Sequence, residues 1–146
     1  MRKATDWIVV HCSASRAKDA HVDVKEIDRW HRQKGWLMVG YHFVITRGAV
    51  IQKGRDLNSA GAHARGHNHH SIGICLVGGV KEDGKTPEDN FTSQQKEALY
   101  SLLKEMRSLY PTAKIIGHWE IEPAKTCPNF DLHMWMADKP DLLEVV

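Results

Sequence analysis

The run Ser71–Gly79, SIGICLVGG, constrains the fold more than any other stretch of the chain. It is apolar on successive residues rather than on every second one, and two glycines end it. This pattern is typical of a central strand covered on both faces, because a strand with one wet face alternates apolar and polar residues. The chain is therefore expected to fold around a sheet that is covered on both sides.

Further strands are predicted before and after this run. Trp7–His11 is a short apolar segment rich in β-branched residues, with His11 at its carboxyl end. The stretches YHFVIT and RGAVIQ meet at Arg47-Gly48, which indicates a hairpin. The segment KIIGH is a short strand that delivers His118 at its end. Two histidines are thus expected at the ends of strands.

Three capping residues mark the starts of three predicted helices: Asp23, Thr92 and Asp131. Glu26 and Gln95 follow the first two at the spacing of a capping box. Helices and strands then interleave along the chain, which favours a mixed sheet with helices packed on its faces. We interpret the fold class as α/β.

Composition fits one globular domain. The 146 residues are 42% hydrophobic, enough for one core, and 20 Lys+Arg against 18 Asp+Glu leave a net charge of +2. The scattered basic residues do not indicate nucleic-acid binding. The first apolar run breaks at His11, short of the roughly 7–15 residues of a secretory signal. No stretch approaches the about 18 residues of a membrane span, so we expect a cytoplasmic chain that does not bind membrane.

A set of metal-binding residue types is distributed over the strand ends. His11 and His118 end strands, where α/β proteins build their sites, and Cys127 follows after enough chain to return to the same point. Two imidazoles and one thiolate suit zinc and leave its fourth tetrahedral position open for water. From the residues alone, other interpretations stay open: His11 satisfied by hydrogen bonds, and Cys127 as a small buried hydrophobic residue.

Four segments together resemble a known family: VHCSAS, GWLMVGYHFVITRGAVIQKGRD, GAHARGHNHHSIGICLVGG and GHWEIEPAKTCPNFDL. They are similar, in the same order, to segments of zinc-dependent N-acetylmuramoyl-L-alanine amidases of the type shared by phage endolysins and peptidoglycan recognition proteins. The resemblance runs from about Trp7 to Trp135. It implies one zinc amidase catalytic domain over residues 1–146, with a central mixed β-sheet flanked by helices and no separate cell-wall-binding domain.

The resemblance also implies the roles of individual residues. His11, His118 and Cys127 would bind one Zn²⁺ per chain, and Tyr41 and Lys125 would be the catalytic pair. Many members of the family carry an aspartate at the position of Cys127, so this chain has the cysteine form of the site.

A histidine-rich segment, HARGHNHH, precedes the central strand. By resemblance it flanks the substrate groove, where His63 and Asn68 would contact the glycopeptide. Its four histidines also suggest a second metal site, but ligands need fixed geometry, and the segment is expected to be a flexible loop.

The implied function is hydrolysis of the amide bond between the lactyl group of N-acetylmuramic acid and L-alanine in peptidoglycan, by zinc-activated water. One alternative is a non-catalytic peptidoglycan-binding module of the same fold. Another is a cysteine hydrolase that uses Cys127 with His118. The implied partner is peptidoglycan, the chain is expected to be a monomer, and a second protein could bind it as in some phage relatives. We expect an endolysin that reaches the cell wall after release through a pore and lyses the host cell.

Overall fold

The strands and helices follow one another as the sequence predicts, and the computed structural model describes residues 1–144. The strands are β1 (Trp7–Cys12), β2 (Ser15–Arg16), β3 (Phe43–Ile45), β4 (Ile51–Lys53), β5 (Ser71–Leu76), β6 (Gly79–Val80) and β7 (Lys114–Gly117). The helices are α1 (Val24–Gln33), α2 (Ser93–Leu109) and α3 (Leu132–Met136). Single 3₁₀ turns cover Asn68–His70, His118–Glu120 and Pro140–Leu142.

The main sheet has the strand order β4-β3-β5-β1-β7. Strands β3, β5, β1 and β7 are parallel, and β4 pairs with β3 in the antiparallel sense. β5 lies at the centre, and all of its six residues are buried. The predicted central strand is therefore confirmed, as is the α/β class with a mixed sheet. The carboxyl ends of β1 and β7 lie side by side at one edge of the sheet.

The two faces of the sheet bury different residues. Paired residues of parallel strands point to the same face, so His11 shares a face with Cys75, and Val10 shares the other with Ile74. The Val10 face packs against α2 and α3, and its core includes Ile8, Ile72, Leu76, Leu99, Leu103, Met106 and Leu132. The His11 face packs against α1 through a smaller core of Val22, Ile27, Val39, Val44, Cys75 and Val77. The sheet is thus covered by helices on both sides.

The predicted helix caps form, one of them only in part. The Thr92 hydroxyl accepts from the Gln95 N–H at 3.0 Å, and the Gln95 side chain accepts from the Thr92 N–H at 3.1 Å, which completes the capping box of α2. Asp23 likewise accepts from the Glu26 N–H at 3.0 Å and begins α1. The reciprocal bond predicted there is absent because the Glu26 carboxylate binds Arg29 and Trp30 instead.

The hairpin also appears where it was predicted. β3 and β4 pair with Ile45 opposite Ile51, and Ala49 adopts a left-handed φ of 64° in the turn after Arg47-Gly48. Residues 81–89 are exposed, as expected for a solvated loop. The two-residue strands β2 and β6 form a small parallel sheet that was not predicted. Within residues 1–144, no helix has both the length and the apolar character needed to cross a membrane.

Candidate active site

The sheet brings His11 and His118 together. Val10 pairs with Gly117 across β1 and β7, so the residues that follow them lie side by side, and the two imidazole centroids are 4.4 Å apart. Trp119 then donates its N–H to the Cys127 carbonyl at 3.0 Å, which closes the loop back onto the strand ends. The Cys12 N–H points at Cys127 Sγ from 2.7 Å. The backbone alone therefore places the cysteine beside both histidines.

The three side chains form a donor set that fits zinc. Their ligand atoms lie within 4.8 Å of one another, and bonds of about 2.0–2.3 Å to a tetrahedral zinc would draw them slightly closer. His118 Nε2 is buried without a hydrogen-bond partner in the described chain. The Glu122 carboxylate lies 3.2 Å from that nitrogen but is not aligned for a hydrogen bond. This imidazole nitrogen is therefore available as a metal ligand.

Two of the three candidate ligands, His11 and Cys127, have pKa values that their surroundings shift. Burial, with His63 and His118 as neighbours, lowers the pKa of His11 well below its usual value and keeps its ring neutral. The Cys12 side chain and burial raise the pKa of Cys127, and the Cys12 N–H opposes them. The metal-free cysteine is therefore a thiol, and coordination would release its proton.

Tyr41 and Lys125 lie in the same cleft of about 810 Å³ as the three candidate ligands. The half-buried Tyr41 ring packs against His11, with centroids 5.1 Å apart. Burial raises the pKa of Tyr41 well above its usual value, and the nearby thiols of Cys75, Cys127 and Cys12 add to the effect. The phenol therefore remains a proton donor at neutral pH. Lys125 is exposed on the loop that carries Cys127.

His63 and Asn68 also line the cleft, but most of their polar side-chain atoms are already hydrogen-bonded to other residues of the protein. Both ring nitrogens of His63 are engaged, Nδ1 with His11 Nε2 at 2.9 Å and Nε2 with Ser71 Oγ at 3.2 Å. The Asn68 side-chain carbonyl accepts from the backbone N–H groups of His63 and Ala64, both at 2.9 Å. Their predicted contact with substrate stays a prediction.

The rest of the histidine-rich segment contacts the sheet at Trp7 of β1. A 3₁₀ turn forms at Asn68–His70, and the rings of His67 and His70 both pack against Trp7 at centroid distances of 4.7 Å. Residues 62–67 form a loop of bends and turns, as predicted, which the Asn68 side chain and Trp7 contact, and the predicted flexibility of this loop stays a prediction. Within residues 1–144, the set of three or more ligand side chains close enough to share a metal is His11, His118 and Cys127.

The mouth of the cleft is basic. Exposed Lys34, Arg65 and Lys85 line it together with Lys125, and Glu122 is the carboxylate among the lining residues. The nearby Glu120 is directed elsewhere, since it accepts from the Gly117 N–H and pairs with His133 at 2.9 Å. A cleft with this rim favours an anionic ligand.

Sequence reasoning missed the residues that support His11 from behind. Ser71 and Gly73 of β5 contact the His63 ring, and a Cβ at Gly73 would lie 2.5–2.8 Å from its atoms. A glycine inside a strand often marks a close approach of another group, so Gly73 was the available signal. The pattern could not name the group that approaches.

The chain is similar to known proteins in sequence and in fold. Residues 1–130 match the family model of N-acetylmuramoyl-L-alanine amidase. The chain is 47% identical over 135 residues to the endolysin of Enterobacteria phage K11 and 48% identical over 134 residues to that of Escherichia phage T7. Each alignment covers 92% of this chain and 87% of the relative.

Solved structures show the same fold. N-acetylmuramoyl-L-alanine amidase LysC from Clostridium intestinale superposes with a TM-score of 0.78 at 29% identity, over 91% of this chain and 83% of that one. Drosophila PGRP-LB gives 0.74 at 24% identity, over 98% and 85%, and shows the fold alone. The chain belongs to the N-acetylmuramoyl-L-alanine amidase family, and it is an amide-hydrolysing enzyme.

Proposed function

We propose that the chain is an endolysin-type hydrolase that cleaves the amide bond between the lactyl group of N-acetylmuramic acid and L-alanine in peptidoglycan. His11, His118 and Cys127 hold one Zn²⁺ per chain. The observation that carries the proposal is that these three residues share one cleft with Tyr41 and Lys125, although His11 and Tyr41 are far from the other three in the sequence. Family membership, and the amidase name of the structural relative from Clostridium intestinale, support cleavage of the same bond.

The protein's own residues have distinct roles in this reaction. When bound, zinc supplies a Lewis acid and makes water nucleophilic near neutral pH. Attack on a planar amide carbonyl places negative charge on its oxygen, and the Tyr41 hydroxyl and the Lys125 ammonium are the donors in the cleft that can stabilise this charge. The basic rim formed by Lys34, Arg65 and Lys85 attracts the carboxylates of a cell-wall peptide. His63 and Asn68 contact the glycopeptide at the inner wall of the cleft.

The two rival functions fit the cleft less well. A cysteine nucleophile needs a base that activates it, but the Cys127 thiol lies 3.7 Å from the Cys12 carbonyl, as a donor, and its pKa is raised. A module that only binds peptidoglycan has no need for a thiol beside two imidazoles with an open position.

The residues 1–146 form one catalytic domain that acts as a monomer on peptidoglycan. The relatives from phages K11 and T7 are endolysins, and we propose the same setting for this chain. It would be made in the cytoplasm and reach the cell wall after release through a pore.

Metal removal tests the zinc site directly. We expect about one zinc per purified chain, loss of amidase activity with a chelator, and recovery on addition of Zn²⁺. Cys127→Ala should lose most of the metal and some stability, because bound metal favours the folded state. Cys75→Ala is a matched control, since Cys75 is buried among the core residues of the α1 face. Activity that survives chelation but is abolished by thiol alkylation would instead support the cysteine hydrolase.

A further inference from the structure

The ring of His63 is buried between the sheet and the candidate zinc site. It is 8% exposed, and it rests on the space that Gly61 and Gly73 leave open, since a Cβ at either would lie 2.5–2.8 Å from the ring. Asn68 fixes the backbone at His63 through two hydrogen bonds. The ring therefore has one position, and its two nitrogens have one partner each.

The directions of these hydrogen bonds follow from one backbone carbonyl. Ser71 Oγ lies 2.8 Å from the His67 carbonyl oxygen, which can only accept, so the single hydroxyl proton of Ser71 is used there. The contact between Ser71 Oγ and His63 Nε2 at 3.2 Å is then a hydrogen bond only if His63 Nε2 donates. A neutral imidazole carries one proton, so His63 Nδ1 is left as an acceptor.

The same donor and acceptor directions determine which nitrogen of His11 carries the proton. His11 Nε2 lies 2.9 Å from His63 Nδ1 and must carry the proton that this acceptor receives. The neutral His11 ring then has its free lone pair on Nδ1, for which the described residues provide no hydrogen bond. Histidine binds a metal through an unprotonated nitrogen, and the bond made by the other nitrogen decides which one is available.

We propose that His63 is a positioning residue: the chain from the His67 carbonyl through Ser71 and His63 holds His11 in the tautomer that presents Nδ1 to the metal. The inference rests on the proposed zinc site and adds to it the group that prepares its most buried ligand. The partners of the His63 ring are a hydroxyl and an imidazole, so no carboxylate among them favours a charged ring.

Tautomers in the metal-free chain can be measured by ¹⁵N-histidine NMR, which requires no zinc and no activity. We expect His11 and His63 both to be protonated at Nε2 and bare at Nδ1. Ser71→Ala removes the hydroxyl that fixes His63, and we expect a mixture of His11 tautomers in that variant. A wild-type His11 protonated at Nδ1, or a His11 tautomer unchanged in Ser71→Ala, would overturn the proposal.

Zinc affinity, measured by competition with a chromophoric chelator, gives the second readout. His63→Leu removes the acceptor and should weaken zinc binding by about 10–100-fold, as loss of such supporting groups typically does. His63→Asn puts a carbonyl oxygen near the position of Nδ1, so its affinity should stay within a few fold of wild type. Equal affinity in His63→Leu and wild type would refute the role of His63. If wild type bound no zinc, the zinc site itself would be refuted. The tautomers measured by NMR would still show whether the hydrogen bonds through Ser71 and His63 set the tautomer of His11.

Discussion

In the cleft, Tyr41 offers a proton and Lys125 a positive charge, and neither belongs to the candidate ligand set. Tyr41→Phe deletes the hydroxyl, and Lys125→Met deletes the charge at nearly constant length. We expect each variant to keep its zinc while turnover falls by about 10²–10³-fold, the usual effect of removing one donor to a developing oxyanion.

Metal analysis and initial rates on purified peptidoglycan measure these two effects separately. Lys53→Met on the exposed edge strand β4 is a matched control that should retain full activity. Wild-type turnover in both cleft variants would show that Tyr41 and Lys125 are not catalytic. Loss of zinc in either variant would instead indicate a structural role.

At the same scale, His31 makes folding depend on pH. Burial first, then Lys34 and Arg55, lower its pKa to about 4, while Asp28 opposes the shift. Its Nδ1 accepts from the Gly40 N–H at 2.8 Å and can do so only while it is unprotonated. The unfolded chain binds the proton at the ordinary pKa of about 6.5, so stability is complete above that pH and falls as pH decreases towards 4.

The matched variant for this effect is His31→Asn, whose carbonyl oxygen can accept the same bond but does not titrate. We expect urea unfolding of the zinc-free chain to show a difference between the two proteins. As the pH is lowered from 6.5 to 4.5, the free energy of unfolding of wild type should fall, relative to that of the variant, by up to about 1.4 kcal/mol per pH unit. Chelator in all samples keeps metal-linked protons out of the comparison. Parallel pH curves for the two proteins would contradict the neutral state assigned to His31.

At the scale of elements, β5 connects the core to the site through Gly73. Gly73→Ala places a methyl group 2.5–2.8 Å from the His63 ring, so the ring must move. We expect a loss of about 1–3 kcal/mol in the free energy of unfolding, as for other overpacked sites, together with weaker zinc binding. Gly48→Ala is the control, because its Cβ would meet only Thr46 Oγ1 at 3.9 Å. Equal zinc affinities in the two variants would show that Gly73 of β5 does not affect zinc binding.

The elements that could be predicted from sequence are those with local signals. The apolar run of β5, the capping box of α2 and the Asp131 cap of α3 all lie within a few residues of what they determine. The β2–β6 pair could not be predicted, because two residues carry no period and their pairing depends on distant chain. The contact of His63 with His11 spans 52 residues for the same reason.

At the scale of the whole molecule, the fold assembles the site from three distant parts of the chain. Strand β1 supplies His11, the segment directly after β7 supplies His118, Lys125 and Cys127, and the segment before β3 supplies Tyr41. The strand-end positions could be predicted from the sequence. The resemblance to a family was needed for Tyr41 and Lys125, since a lone tyrosine and a lone lysine have no distinguishing pattern.

The central claim is which bond the enzyme cuts. A metal-assisted cleft with Tyr41 and Lys125 is suited to attack on a planar carbonyl, whereas glycoside cleavage generally uses two carboxyl groups that flank the bond. Glu122 is the carboxylate that lines this cleft among the described residues. Digestion of purified peptidoglycan, followed by mass spectrometry and end-group labelling, should therefore release new L-alanine amino termini and leave the glycan strands intact. New reducing sugar ends that rise with the loss of turbidity, without new alanine amines, would contradict the amidase assignment.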